Sequence, residues 1–302
     1  MSPDGAFTVV VIALFGNPFS PRYARARRHG PARALDHCAM HVALRGPNGA
    51  RWSLRERAIP DGARRRDQVV LGGSRFGWDG EGLSIDIDET TTPGGLRMQG
   101  RVRIRPETGA APGAESAESA IDLDPSGDHR WWPVAPIARA EVDFRTPAVR
   151  FEGDAYADAN AGCVPLESTF ASWCWSRARV DRQRAVVAYD VVPIEGAAAA
   201  RSLAFGPRGM DEIDSLVRRP LAPTAWGLAR YVNVDANAGS NANATTVRVL
   251  RSLEDGPCYA RTLVASRLLG RDALVMHEVL SAERLRRAWV RFLLGFKMGR
   301  AP

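Results

Sequence analysis

Strict two-residue alternation is the clearest pattern along the chain. Leu83, Ile85 and Ile87 alternate with Ser84, Asp86 and Asp88. After a Thr-Thr-Pro-Gly-Gly turn, Leu96, Met98, Val102 and Ile104 alternate with Arg97, Gln99, Arg101, Arg103 and Arg105. This predicts an antiparallel hairpin with one wet face. Its acidic strand faces an arginine strand, so cross-strand charge pairs should fix the register. The apolar run Phe7–Phe15 predicts a buried first strand, followed by a Pro-containing loop at 16–23 with a short turn of helix after it. Asp36–Leu44 predicts a second strand, with His37, Ala39, His41 and Ala43 on one face. Val142 and Phe144, then Val149 and Phe151, mark two more strands. Arg184–Ile194 predicts a strand buried on both faces. Tyr259–Leu269 and Ala273–Leu280 predict a closing hairpin around Gly270.

Two polar stretches, Glu107–Ser119 and the Asn-rich Asn233–Thr246, lack an apolar period and are expected to be loops. Strong helical spacing is found only near the end. Ser281 is placed to cap a helix with Glu283 in its first turn, and Leu285, Trp289, Phe292 and Phe296 recur on one stripe flanked by Arg284, Arg286, Arg287 and Arg291. The expectation is that this stripe packs inward. The alternative is a basic amphipathic helix resting on an anionic membrane. Many antiparallel strands and a short C-terminal helix indicate an all-β chain of barrel or sandwich type, and small barrels commonly hold one apolar ligand.

Between His129 and Trp175 the composition changes. Four of the eight tryptophans, Trp131, Trp132, Trp173 and Trp175, lie here with His129, Tyr156 and the acids Asp154, Asp158 and Glu167. Ionisable groups set in an apolar lining have shifted pKa values and can do acid–base chemistry. A plainer role is open for each: Asp158 could cap a turn with Asn160 and Gly162, and the tryptophans could be core.

The net charge of +7 suggests nucleic acid, but only one of the 41 basic residues, Lys297, is lysine. The arginines are scattered and no nucleic-acid motif accompanies them, so no nucleic-acid partner is expected. Cys38, Cys163, Cys174 and Cys258 form no CxxC pair and read as small buried apolar residues. The segment Phe7–Phe15 has the wrong flanking charges for a signal peptide and is too short to span a bilayer. Asp122–Asp128 begins like a calcium loop, but Pro133 occupies the twelfth position, so a tight turn is expected. His37 and His41 have no acidic ligand cluster near them in sequence, and no nucleotide or serine-hydrolase motif is present.

The segments HRWWPVAPIARAEV (129–142), GDAYADANAGCVPLESTFASWCWSRA (153–178) and VVAYDV (186–191) resemble the carotenoid 1,2-hydratases, or hydroxyneurosporene synthases, of purple bacteria. The N-terminal LFGNPFSPRYARARR and the C-terminal YARTLVASRLLG and VMHEVLS agree, so the resemblance covers nearly the whole chain. It implies two tandem lipocalin-like β-barrel domains, residues 1–145 and 146–302. The family carries an aromatic-rich segment upstream of the first strand, so a true start further upstream is expected. The implied activity is addition of water to the terminal C1=C2 bond of acyclic carotenoids such as neurosporene and lycopene, without a cofactor. The implied acid is Asp158, in Tyr156-Ala-Asp-Ala-Asn, with Tyr156, Trp131 and His129 assisting; Glu167 is the second choice of acid. Such an acid must stay protonated, which calls for burial against apolar walls. A carotenoid carrier of lipocalin type is the competing reading. A membrane-dwelling substrate implies a peripheral membrane protein, touching lipid through the C-terminal helix or Arg22–Arg28.

Overall fold

The computed structural model describes residues 1–107, 120–236 and 247–300. Strands dominate it and helices are short, as the alternation predicts. The chain divides into two units, each assembled from separated stretches: Met1–Pro106, Ala138–Tyr156 and Ala288–Pro302 form the first, Glu107–Ile137 and Ala157–Arg287 the second. The expected boundary between 145 and 146 falls at the turn of a hairpin, and the units exchange chain elsewhere.

The first unit opens with β1 (Thr8–Leu14), β2 (Cys38–Gly46) and β3 (Gly49–Arg57), paired antiparallel in that order. Among the described residues one neighbour pairs with β1, which is half-buried rather than fully buried. Between β1 and β2 lies helix α1 (Pro21–His29), where the Ser20 hydroxyl accepts the Tyr23 N–H at 3.0 Å and Pro21 opens the first turn. His37 closes a 3₁₀ turn just before β2, not a strand, and its Nδ1 lies 2.6 Å from the buried carboxylate of Glu56. The strands β4 (Gln68–Leu71), β5 (Ser74–Trp78), β6 (Leu83–Thr90) and β7 (Arg97–Pro106) form a meander. The β6–β7 hairpin has the expected register: Asp86 lies opposite Arg101 and bonds it at 2.6 Å, while Arg97 pairs with Asp88 at 3.0 Å.

After β8 (Ile121–Asp122) come two long strands, β9 (His129–Thr146) and β10 (Val149–Gly162). Each is divided between the units, β9 after Ile137 and β10 after Tyr156. The first-unit half of β9 pairs with β7, bringing Val102 opposite Val142.

The second unit is built on helix α2 (Leu166–Thr169) and the strands β11 (Phe170–Arg179), β12 (Ala185–Pro193), β13 (Ala199–Gly206), β14 (Gly209–Glu212), β15 (Leu216–Leu221), β16 (Arg230–Asp235), β17 (Arg248–Asp255), β18 (Tyr259–Leu268) and β19 (Arg271–Ser281). Seven form an antiparallel sheet in the order β14-β13-β12-β11-β19-β18-β17, an open path among the described residues. The ribbon β15–β16 contributes Val232 and Val234 to a core with Ala178, Val186, Val264 and Val275. As predicted, β12 is buried on both faces, and β18 and β19 close around Leu269 and Gly270, both at positive φ. Of the expected loops, residues 108–119 and 237–246 lie outside the described residues, and Asn233–Asp235 belongs to β16.

The predicted C-terminal helix is broken into α3 (Ala282–Leu285), capped by Ser281, and α4 (Ala288–Lys297); β20 (Gly299–Arg300) then pairs parallel with β3. The inward-packing expectation for its aromatic stripe is not met. Val290 and Leu294 are buried, whereas Trp289, Phe292 and Phe296 are 45%, 65% and 69% exposed. No helix among the described residues is long and apolar enough to cross a membrane.

Candidate active site

The start of β9 is fixed by the turn before it. The Asp124 carboxylate accepts the N–H groups of Ser126, Asp128 and His129 at 3.1, 3.3 and 2.8 Å, and Gly127 takes a positive φ, so the calcium-like sequence is a tight turn. Alternation then buries His129 and Trp131 and leaves Arg130 between them exposed and paired with Asp122 at 3.3 Å.

Of the expected site residues, Trp131 and Asp158 are brought into contact. The indole Nε1 of Trp131 donates to Oδ2 of Asp158 at 2.9 Å. The Trp131 ring tilts at 59° against Tyr189 of β12, with 5.4 Å between centroids, and the Tyr189 hydroxyl donates to Asn160 at 3.4 Å. Burial, with the carboxylates of Asp158 and Glu278 nearby, raises the Tyr189 phenol far above its usual range, so it stays neutral and can donate a hydrogen bond.

Asp158 is exposed, against the expectation of burial. It sits near the end of β10, the last strand of its hydrogen-bonded order, where Asn160, Ala161 and Gly162 are also exposed.

His129 is buried in its own setting. Its Nε2 lies 3.2 Å from the Thr169 hydroxyl, and its ring rests 4.8 Å from that of Phe170. Burial lowers its pKa, opposed by Asp124 and Asp128, so the imidazole is neutral near neutral pH. The strand end of β10 closes over it: a Cβ on Gly162 would stand 2.4 Å from His129 Nδ1. Tyr156 lies two residues before Asp158 in β10 but falls to the first unit, as does Asp154. Glu167 is half-buried in α2. Trp173 meets Phe170 edge-on at 6.3 Å, and Trp175 is buried.

Sequence reasoning missed a polar row running from this site across the sheet. Tyr189 lies opposite Trp175, Trp175 opposite Glu278, Glu278 opposite Arg261, and Arg261 opposite Glu254. Arg261 is buried; its Nε donates to Glu278 at 2.7 Å and its Nη1 to Glu254, and its guanidinium lies over the Tyr259 ring. The available signal was an arginine next to Ala260 and a glutamate next to Val279, each close to apolar residues in its strand.

Elsewhere in the second unit the buried His277 Nε2 lies 2.7 Å from the Tyr231 carbonyl and 3.1 Å from Cys174 Sγ. Burial pushes the thiol up to about 12 and the imidazole down to about 4, so both are neutral and no thiolate nucleophile forms. Cys38 and Cys258 are likewise buried, Cys163 is exposed, and all four are free thiols. Among the described residues no group of three or more His, Cys, Asp or Glu could hold a metal ion.

Residues 11–302 match the family model for carotenoid hydratase CrtC. The chain is 40% identical over 302 residues to an acyclic carotenoid 1,2-hydratase from Thiocapsa roseopersicina, covering 99% of this chain and 71% of that one. It is 32% identical over 295 residues to an acyclic carotenoid 1,2-hydratase from Rhodobacter capsulatus, covering 96% and 97%. In fold it is similar to a crystal structure of an AttH-type protein from Nitrosomonas europaea, with a TM-score of 0.57, 15% identity and coverage of 82% and 80%.

Proposed function

The chain belongs to the carotenoid hydratase family and is an enzyme of the hydro-lyase class, and from that premise we propose that it adds water across the terminal C1=C2 bond of acyclic carotenoids such as neurosporene and lycopene. The product is a tertiary 1-hydroxy carotenoid. The reading rests on the family match and on the 2.9 Å bond from Trp131 to Asp158.

In the reaction as written, the Asp158 carboxyl gives its proton to C2, and the π electrons form the new C–H bond. A tertiary cation is left at C1. Water adds its lone pair to C1, and the oxonium returns a proton to the Asp158 carboxylate, directly or through His129. Nothing is oxidised or reduced, so no electron acceptor is called for.

Each residue has a role that its chemistry suits. Asp158 is exposed in the free protein, so the polyene itself supplies the apolar cover. When it displaces water from the carboxyl, desolvation favours the neutral acid. The Trp131 N–H then stabilises the carboxylate as it forms, while its ring is fully buried against Tyr189. Tyr156, in the same Tyr156-Ala-Asp-Ala-Asn motif, is the aromatic residue that the family resemblance offers for attracting the cation, worth about 0.5–2 kcal/mol. Neutral His129 orients the attacking water or takes its proton. The architecture around them is proposed to be a pair of lipocalin-like barrel domains, and the bilayer-borne substrate makes peripheral membrane binding part of this reading.

The test is incubation with lycopene in micelles made in isotopically labelled water, followed by mass spectrometry. Gain of one labelled water, with the visible spectrum almost unchanged because the terminal bond lies outside the conjugated chain, is expected. Asp158→Asn folds normally and loses turnover. Bound but unaltered carotenoid with the wild type would replace hydration by carriage, and wild-type turnover by Asp158→Asn would remove Asp158 from the mechanism.

A further inference from the structure

Helix α4 is apolar on two sides. Val290, Leu294 and Met298 recur at a spacing of four and are buried; Met298 packs with Ala39 and Leu54 and accepts the Asn17 amide through its sulfur. That stripe accounts for how α4 is held. Trp289, Phe292 and Phe296 form the other side, and Phe292 and Phe296 meet edge to face at 4.8 Å while remaining mostly in water. A helix apolar all round is normally sunk in a core or in lipid, and a monomer rarely exposes clustered aromatics without a use for them.

From Ala288 to the end of the chain the charged residues are Arg291, Lys297 and Arg300, all basic. Helix α1 packs beside α4, Pro21 standing 4.0 Å from where a side chain on Gly295 would begin. It carries Arg22, Arg25, Arg27 and Arg28 without an acid, and Arg25 and Arg28 are exposed.

We propose that the exposed face of α4, with the arginine side of α1, is the surface by which the protein docks on an anionic lipid bilayer. Phe292, Phe296 and Trp289 enter the boundary between headgroups and acyl chains, while Arg25, Arg28 and Lys297 lie at the phosphates. A second copy fits this face less well. Three partly exposed aromatics offer roughly 300–400 Å² per subunit, well below the about 800 Å² per partner of a stable interface. A two-fold pair would also set the same cations against each other. The proposal deepens the hydratase reading, which already requires the enzyme to meet a membrane-dissolved substrate, but it rests on its own observations.

The experiment is flotation with vesicles of phosphatidylcholine alone and of phosphatidylcholine with phosphatidylglycerol, at about 0.05 M and about 0.5 M salt. Wild type is expected to float with the anionic vesicles, less so at high salt. Phe292→Ser with Phe296→Ser should lower the partition coefficient at least about tenfold at both salt levels. Arg25→Gln with Arg28→Gln should lower it about tenfold on anionic vesicles at low salt only. Both variants should melt like wild type, because the altered side chains are solvent-exposed. Undiminished flotation of the aromatic variant would overturn the proposal. So would a lipid-free dimer of the wild type that the aromatic variant dissolves, which would assign the face to a second copy. Turnover of lycopene in detergent micelles judges the hydratase reading separately. Both variants should retain it, and a failure there would count against hydration without touching the vesicle result.

Discussion

Replacing Trp131 by phenylalanine would separate two roles that one side chain combines. The indole gives Asp158 a hydrogen bond of 2.9 Å and packs its ring against Tyr189. Phenylalanine keeps a ring and loses the N–H. If the acid hands its proton to the alkene, negative charge grows on the oxygen that this N–H addresses, so the bond is strongest at the transition state. A hydrogen bond to a charged group is worth about 1.5–3 kcal/mol, which corresponds to a fall in kcat of about 10- to 150-fold. KM should move little, because the bond does not address the polyene. The smaller ring leaves a void where Trp131 is fully buried, so stability should also fall, by about 1–3 kcal/mol. Assays must therefore run well below the variant's melting temperature, which thermal unfolding by circular dichroism would locate. Steady-state hydration of lycopene in micelles gives the two kinetic constants. A folded Trp131→Phe enzyme with kcat within about twofold of wild type would refute the role given to the indole N–H.

Two further outcomes follow from close packing and burial. Gly162→Ala would place a methyl 2.4 Å from His129 Nδ1, and relieving that contact means moving the ring by about 1 Å at a cost of about 1–3 kcal/mol; hydration should drop while the sheet remains intact by circular dichroism, and unaltered turnover would dissociate His129 from the chemistry. His277 titrates near 6.5 in an unfolded chain and near 4 when buried, so between those values the unfolded state binds a proton that the native state refuses. Stability then falls as pH drops from about 7 to about 5, by on the order of 2 kcal/mol from this residue. Urea unfolding of wild type and His277→Gln should show the weaker pH dependence in the variant.

The strands with one wet face were legible because each residue's side is set by its own alternation. The Asp86–Arg101 and Arg97–Asp88 pairs of the β6–β7 hairpin, the doubly buried β12 and the turn at Gly270 all follow from adjacent sequence. The pairing of Trp131 with Asp158 was approached only through the two separate family segments, 129–142 and 153–178, that hold them. What escaped was fixed by partners distant in sequence. The spacing of α4 permits two stripes, one through Trp289, Phe292 and Phe296 and one through Val290, Leu294 and Met298, and the larger residues made the wrong one look like the core. The row Tyr189–Trp175–Glu278–Arg261–Glu254 exists only through the registers of five strands. The exposure of Asp158 follows from the edge position of β10, which no residue of the Tyr156–Asn160 motif encodes.

The interleaving of the two units bears on how the chain is made. The second unit has all its residues once synthesis reaches Arg287, but the first, though it contains the earliest strands, lacks α4 and β20 until residues 288–300 have been added. Met298 must join Ala39 and Leu54, and Gly299 must align with Arg55, so strands made first wait longest for their last partners. During translation the nascent β1–β3 segment therefore stands incomplete while some two hundred later residues emerge, a period in which its unpaired edge is open to misassembly and to chaperones. For the same reason no single cut yields either unit as one continuous fragment.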